Sequence, residues 1–161
     1  MALGSSPIWQ GKDRTGRALK GGVDYNVSYP KGMKNVGKYT VKVTFKENYS
    51  GSKSLTYTIN PKGTGVSKVT AAKKGFKVTW KKQKTQTTGY QVQYSTDKNF
   101  KKNNKTVTIS KNNTTSKSVG KLKAKKKYYV RVRTYKIVKF GGKSVKLYSG
   151  WSKAKSVTTK K

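Results

Sequence analysis

Leu122-Lys123-Ala124-Lys125-Lys126-Lys127-Tyr128-Tyr129-Val130-Arg131-Val132-Arg133 is the stretch whose reading decides the fold. From Tyr128 onward the side chains alternate with a period of two. Tyr128, Val130 and Val132 share one face; Tyr129, Arg131, Arg133 and, one step on, Tyr135 share the other. That period is the signature of a half-buried strand, because successive side chains of an extended backbone point to opposite faces. Outward from it the pattern recurs. Strands are expected at 66–71, 76–81, 89–95, 105–110, 116–119, 128–136 and 152–159, with turn residues between them. Seven short strands at this spacing predict a Greek-key sandwich over 66–161. Upstream, Tyr25/Val27/Tyr29, Tyr39/Val41/Val43/Phe45 and Leu55/Tyr57/Ile59 form three further alternating runs, with a fourth strand expected near Ile8–Gln10. Asn60-Pro61-Lys62-Gly63-Thr64-Gly65 interrupts the alternation and marks the boundary. The expected organisation is a tag or linker at 1–6, a small β-module at 7–61, a linker at 62–65 and the larger module at 66–161. The fold class is all-β, two tandem small sandwiches.

The composition constrains function. The 161 residues carry 39 Lys and Arg against 4 acids, a net charge of +35. Hydrophobic content of 32% would suit a disordered chain, but the apolar residues are concentrated in the alternating runs. With no Cys and no His, thiolate chemistry, cysteine zinc sites and the usual general base are excluded. Asp13, Asp24, Glu47 and Asp97 stand far apart in sequence, too few for a carboxylate pair or a hard-cation cage. A Ser–Lys nucleophile pair is formally open, yet nothing singles out one serine beside one desolvated lysine. The expectation is a non-enzyme without cofactor. Asp97 reads as the cap of a turn, and Glu47-Asn48 as a turn rather than part of a Lys–Asn crosslink. No apolar run reaches the length of a membrane span.

Only Arg14, Arg17, Arg131 and Arg133 are arginines; the other 35 cations are lysines. Lysine offers a point charge, whereas arginine presents the planar fork that reads base edges. Such a surface should bind polyanions by charge density, without sequence choice, and its self-repulsion should be relieved by salt. The densest cations are Lys121, Lys123, Lys125, Lys126 and Lys127, with Lys101 and Lys102 and the outward Arg131 and Arg133. These are the candidate polyanion-binding residues.

Three segments carry a resemblance to the fibronectin type III domain over 64–160. Phe76-Lys77-Val78-Thr79-Trp80 is similar to its second strand, with Trp80 in the core. Thr88-Gly89-Tyr90-Gln91-Val92-Gln93-Tyr94-Ser95 is similar to its third, and Leu122 followed by Tyr128 resembles its tyrosine corner. Tyr148-Ser149-Gly150-Trp151-Ser152 resembles the Trp-Ser-x-Trp-Ser element of cytokine-receptor modules, with Tyr148 in place of the first Trp. The last strand lies beside the sixth in that fold, so Tyr148 and Trp151 would interleave with Arg131 and Arg133 as a cation–π ladder. The leading reading of this ladder is stiffening of the sheet; Tyr129, Tyr135, Tyr148 and Trp151 as an exposed aromatic platform for a glycan or polyanion is the alternative. Gly22–Tyr29, Asn35–Val41 and Asn48-Tyr49-Ser50-Gly51 resemble small immunoglobulin-like repeats of Gram-positive surface proteins. The pairing implies a monomeric fragment of a larger secreted or cell-surface protein, exported by a signal lying upstream. Cell-wall teichoic acid or a polyanionic host glycan is then the implied partner. Nonspecific nucleic-acid binding and a bare stalk remain as rivals.

Overall fold

A computed structural model describes residues 10–46 and 48–161. The expected strand at Ile8–Gln10, the 1–6 segment and Glu47 lie outside the described residues, apart from Gln10, which is not in a strand. The chain separates into two compact units between Ile59 and Asn60, the first also taking in Phe140–Lys143.

In the first unit, β1 (Tyr25–Ser28), β2 (Gly37–Phe45) and β3 (Ser52–Ile59) form an antiparallel sheet in the order β1-β2-β3. Its small core is Leu19, Tyr25 and Val43, with Val27, Phe45, Tyr49 and Leu55 against it. Asp13 organises the segment before the sheet. Its carboxylate accepts from the Thr15 hydroxyl at 2.6 Å and from the Thr15 and Arg17 amides, and pairs with the Arg17 guanidinium at 3.3 Å. The Thr15 hydroxyl, first among these donors, holds the Asp13 carboxyl below the ordinary carboxylate range.

The second unit is a sandwich. One sheet has the order β4-β5-β8, from β4 (Val66–Ala72), β5 (Gly75–Trp80) and β8 (Ser116–Val119). The other has the order β10-β9-β6-β7, from β6 (Gly89–Ser95), β7 (Lys105–Ile109), β9 (Lys127–Phe140) and β10 (Lys143–Tyr148), and β11 (Lys155–Thr158) also pairs with β9. The chain crosses between sheets after β5, after β7 and after β8, the Greek-key connectivity. Tyr90, Val92, Val130, Val132, Phe76, Val78 and Trp80 meet between the sheets as the alternation requires. Leu122 packs at the edge of this core and Tyr128 lies inside it.

The last strand position differs from expectation. The sixth strand runs on to Phe140, turns at Gly141-Gly142 with φ of +57° and +76°, and returns as β10. A two-residue turn with both φ positive matches the twist of a hairpin, which is why glycine occupies both sites. Seven strand positions are therefore filled by eight segments, β10 and β11 sharing one edge of β9. Between them the chain steps away, and Ser149 and Ser152 hydroxyls take over the ladder by accepting from the Thr134 and Val132 amides at 3.0 Å each.

Candidate binding surface

Strand register creates the site. Across the β6–β9 pair, Gln93 stands opposite Arg131 and Gln91 opposite Arg133. Each guanidinium donates through Nε and Nη2 to the Oε1 of its glutamine, at 2.8 and 2.6 Å for Arg131 and at 3.0 and 2.7 Å for Arg133. The glutamine amides donate in turn to Thr106 and Thr108 on β7, both at 3.1 Å. Two polar rungs thus cross three strands. The Ser149 and Ser152 bonds hold the intervening chain so that Trp151 and Tyr148 lie among these rungs. The Arg131 guanidinium is 3.9 Å from the Phe100 ring and 4.8 Å from Trp151; that of Arg133 is 4.3 Å from Trp151 and 4.0 Å from Tyr148. The order is Phe100, Arg131, Trp151, Arg133, Tyr148.

The acceptors are neutral amides, so the two charges are oriented but not cancelled. Burial, reinforced by repulsion from Arg133, lowers the Arg131 pKa; burial likewise lowers that of Arg133. Both remain cations at neutral pH because the guanidinium starts so high. Glutamine in place of a carboxylate leaves the ladder electropositive.

Not every candidate joins this array. Tyr135, expected on the outward face, is 2% exposed, with its ring 6.1 Å from Tyr148 and its hydroxyl pointing to the Ile109 carbonyl at 3.5 Å. The reason is its partner: Tyr135 pairs with Gly89, whose missing side chain leaves the space the phenol fills. The platform thus loses Tyr135 as an exposed ring. Tyr129 is half-buried and separate, with the Lys127 ammonium 5.7 Å from its ring. Gln91, Gln93 and Phe100 are ladder members that the sequence reading missed. The two glutamines could have been found, since they alternate with the inward Tyr90, Val92 and Tyr94.

Lys121, Lys123, Lys125, Lys126 and Lys127 are all exposed, on the connection from β8 into β9. Lys101 and Lys102 are exposed on the loop between β6 and β7. Asp97 caps that loop, its carboxylate accepting from the Asn99, Lys101 and Lys102 amides at 2.9, 2.8 and 3.2 Å. The Asn99 amide bond, then those of Lys101 and Lys102, lower its pKa. A depressed folded-state pKa stabilises above the unfolded value, about 4, and that stabilisation is lost as pH falls through the folded pKa. Protection of the Asn99, Lys101 and Lys102 amides, taken against the intrinsic exchange rate at each pH, should therefore fall on acidification below about pH 4. Protection factors at those amides that stay constant through the acid range would show the cap to be unimportant.

The charge of the surface is uncompensated. Among the described residues both ion pairs are made by Arg17, with Asp13 and Asp24, and no lysine is paired with a carboxylate, although the Lys102 charge acts on Asp97. Asp97 spends its oxygens on backbone amides. Nor do the described residues contain any group of three or more potential metal ligands.

A model of the fibronectin type III domain matches residues 59–149. Among solved structures, the chicken CNTN1 FN1-FN3 domains are similar with a TM-score of 0.52 and 21% identity, over 82% of this chain and 46% of that one. Domains A168-A170 from titin align with a TM-score of 0.44 and 17% identity, over 94% of this chain and 53% of that one. The chain spans about half the length of each. No curated protein matches it.

Proposed function

The chain belongs to the fibronectin type III domain family, the match covering more than half its length, and from that premise we propose that it is a non-catalytic spacer module which also holds anionic polymers on its lysine surface. Fibronectin type III domains are typically scaffold modules and are common in extracellular proteins. Among the described residues no helix is long and apolar enough to cross a membrane. The observation that carries the reading is that no described lysine is paired with a carboxylate, while the net charge is +35. Uncompensated ammonium groups repel one another, and an anionic chain laid across them relieves the repulsion while releasing its counterions.

The ladder refines which cations serve. Arg131 and Arg133 are stacked on rings and bonded to glutamines, so the free charges of the second unit are lysines. Point charges without a planar fork suit repeating phosphates or sulfates and carry no base-edge readout. We place the first unit as a surface-protein repeat of immunoglobulin type, and cell-wall teichoic acid or a polyanionic glycan as the polymer. The setting would be the surface of a Gram-positive bacterium.

The test is binding of the folded chain to purified teichoic acid, duplex DNA and a neutral glycan across a salt series. The two polyanions should bind, and between 50 and 200 mM salt the affinity should fall about a thousandfold if six or more phosphates are contacted. Binding of the neutral glycan with little salt response would transfer the function to the Trp151 face. Silence with all three would leave a stalk.

A further inference from the structure

At the end of the second unit where β6 stops and β9 begins, a groove of about 480 Å³ opens between two loops. Its floor is Tyr94, Tyr128 and Leu122, and its rim carries Lys105, Lys121, Lys123 and Lys126. The two tyrosines are 8% and 7% exposed, their rings 6.2 Å apart and edge to face, each also stacked near Phe76. Their orientation is therefore set by the core. Yet neither phenol hydroxyl has a hydrogen-bond partner among the described residues, unlike that of Tyr90, which accepts from the Gln83 amide and donates to the Asn112 carbonyl. Burial, with repulsion from Tyr128 second, raises the Tyr94 pKa, so that hydroxyl keeps its proton as a donor.

The rim is equally well held. The loop carrying Lys121, Lys123 and Lys126 is tied down by the buried Thr159, whose hydroxyl donates to the Lys123 carbonyl at 2.6 Å and accepts from the Lys126 amide at 3.0 Å. The Leu122 amide donates to the Lys74 carbonyl at 2.9 Å. Within this loop Lys121 adopts φ of +57° and Lys125 +49°, a region that Gly or Asn occupies more cheaply. Strain accepted at lysines on a pinned loop is the pattern of a preorganised site.

Resting on the polyanion reading above, we propose that this groove is a built subsite for one sugar- or polyol-sized unit bearing phosphate or sulfate esters. Two phenol donors on the floor and four ammonium groups around the mouth match a tetrahedral oxyanion that accepts several hydrogen bonds. The volume falls among small-molecule clefts, about 300–1,000 Å³, so the occupant is larger than a bare ion. No arginine lines it, which disfavours bidentate carboxylate recognition.

The experiment is calorimetric titration of the full chain with sucrose octasulfate and with inositol hexakisphosphate at 0.15 M NaCl, the tighter of the two naming the ester. One-to-one binding is expected. The double variant Tyr94→Phe/Tyr128→Phe keeps the rings and removes the donors, and should weaken binding about tenfold at an unchanged denaturation midpoint. The triple variant Lys121→Gln/Lys123→Gln/Lys126→Gln should lose more than tenfold. Lys68→Gln/Lys77→Gln/Lys117→Gln, an equal charge change on exposed positions of the other sheet, should lose less than about threefold. Equal losses from the two lysine triples, or full affinity in the phenylalanine variant, would overturn the groove while leaving charge-density binding intact. A wild-type chain that binds neither small ester yet holds the polymers would also overturn it, whereas failure with polymers too would remove both readings.

Discussion

Replacing Gly89 with alanine is expected to destabilise the second unit by about 3 kcal/mol or more, at the upper end for an overpacked core position. A Cβ there would lie 2.0 Å from the Ile109 carbonyl oxygen and 3.0 Å from the Tyr135 hydroxyl. The first neighbour is backbone of the paired strand β7, so relief requires strands to part rather than a side chain to turn. Tyr135 must also leave the space beside its partner residue, and it is buried with little room to do so. For a unit of about a hundred residues this corresponds to a fall of the thermal midpoint on the order of 15 °C. Gly120→Ala is the control, since a Cβ there meets nothing within 4 Å; its change should stay within about 0.5 kcal/mol. A Gly89→Ala protein melting with the wild type would show that this face of β6 is not closely packed.

Trp151→Ala should cost about 3 kcal/mol by denaturant unfolding. Among the described residues the indole is the one ring shared by both guanidiniums, at 4.8 Å from Arg131 and 4.3 Å from Arg133. Its loss removes two cation–π contacts, each worth about 0.5–2 kcal/mol, and leaves two part-buried cations with one ring apiece, Arg131 on Phe100 and Arg133 on Tyr148. The same variant separates the two roles of the ladder. Stability lost with polymer affinity per folded molecule retained identifies a brace. Affinity lost in a protein that still folds would make the indole a contact, and an unchanged unfolding midpoint would show that the stacking carries little.

Much of this was legible in the chain, residue by residue. Period-two alternation in 76–80, 89–95 and 128–133 identifies strands and their inward faces, because the pleat is a local steric property of each residue. The same alternation puts Arg131 and Arg133 outward, and the Tyr148–Ser152 element supplies rings for them. The β10 hairpin escaped that reading although Gly141-Gly142 announces it; the alternation around it is diluted by Lys136, Lys139 and Lys146. Phe100 escaped for a different reason. It sits in a loop with φ of +56°, where no periodicity reports the direction of a side chain.

What the amino-acid sequence determined alone was the class of fold, the cationic surface and the absence of cysteine and histidine chemistry, all of which follow from composition and nearest-neighbour sterics. Only the tertiary structure decided that Tyr135 is buried on its own face of the sheet, that glutamines rather than carboxylates receive the arginines, and that Tyr94 and Tyr128 share a floor beneath lysines from β7 and from the β8–β9 loop. Those outcomes depend on register between strands distant in sequence, where a missing Cβ at Gly89 or a hydroxyl at Thr159 settles which space is filled and which is left open.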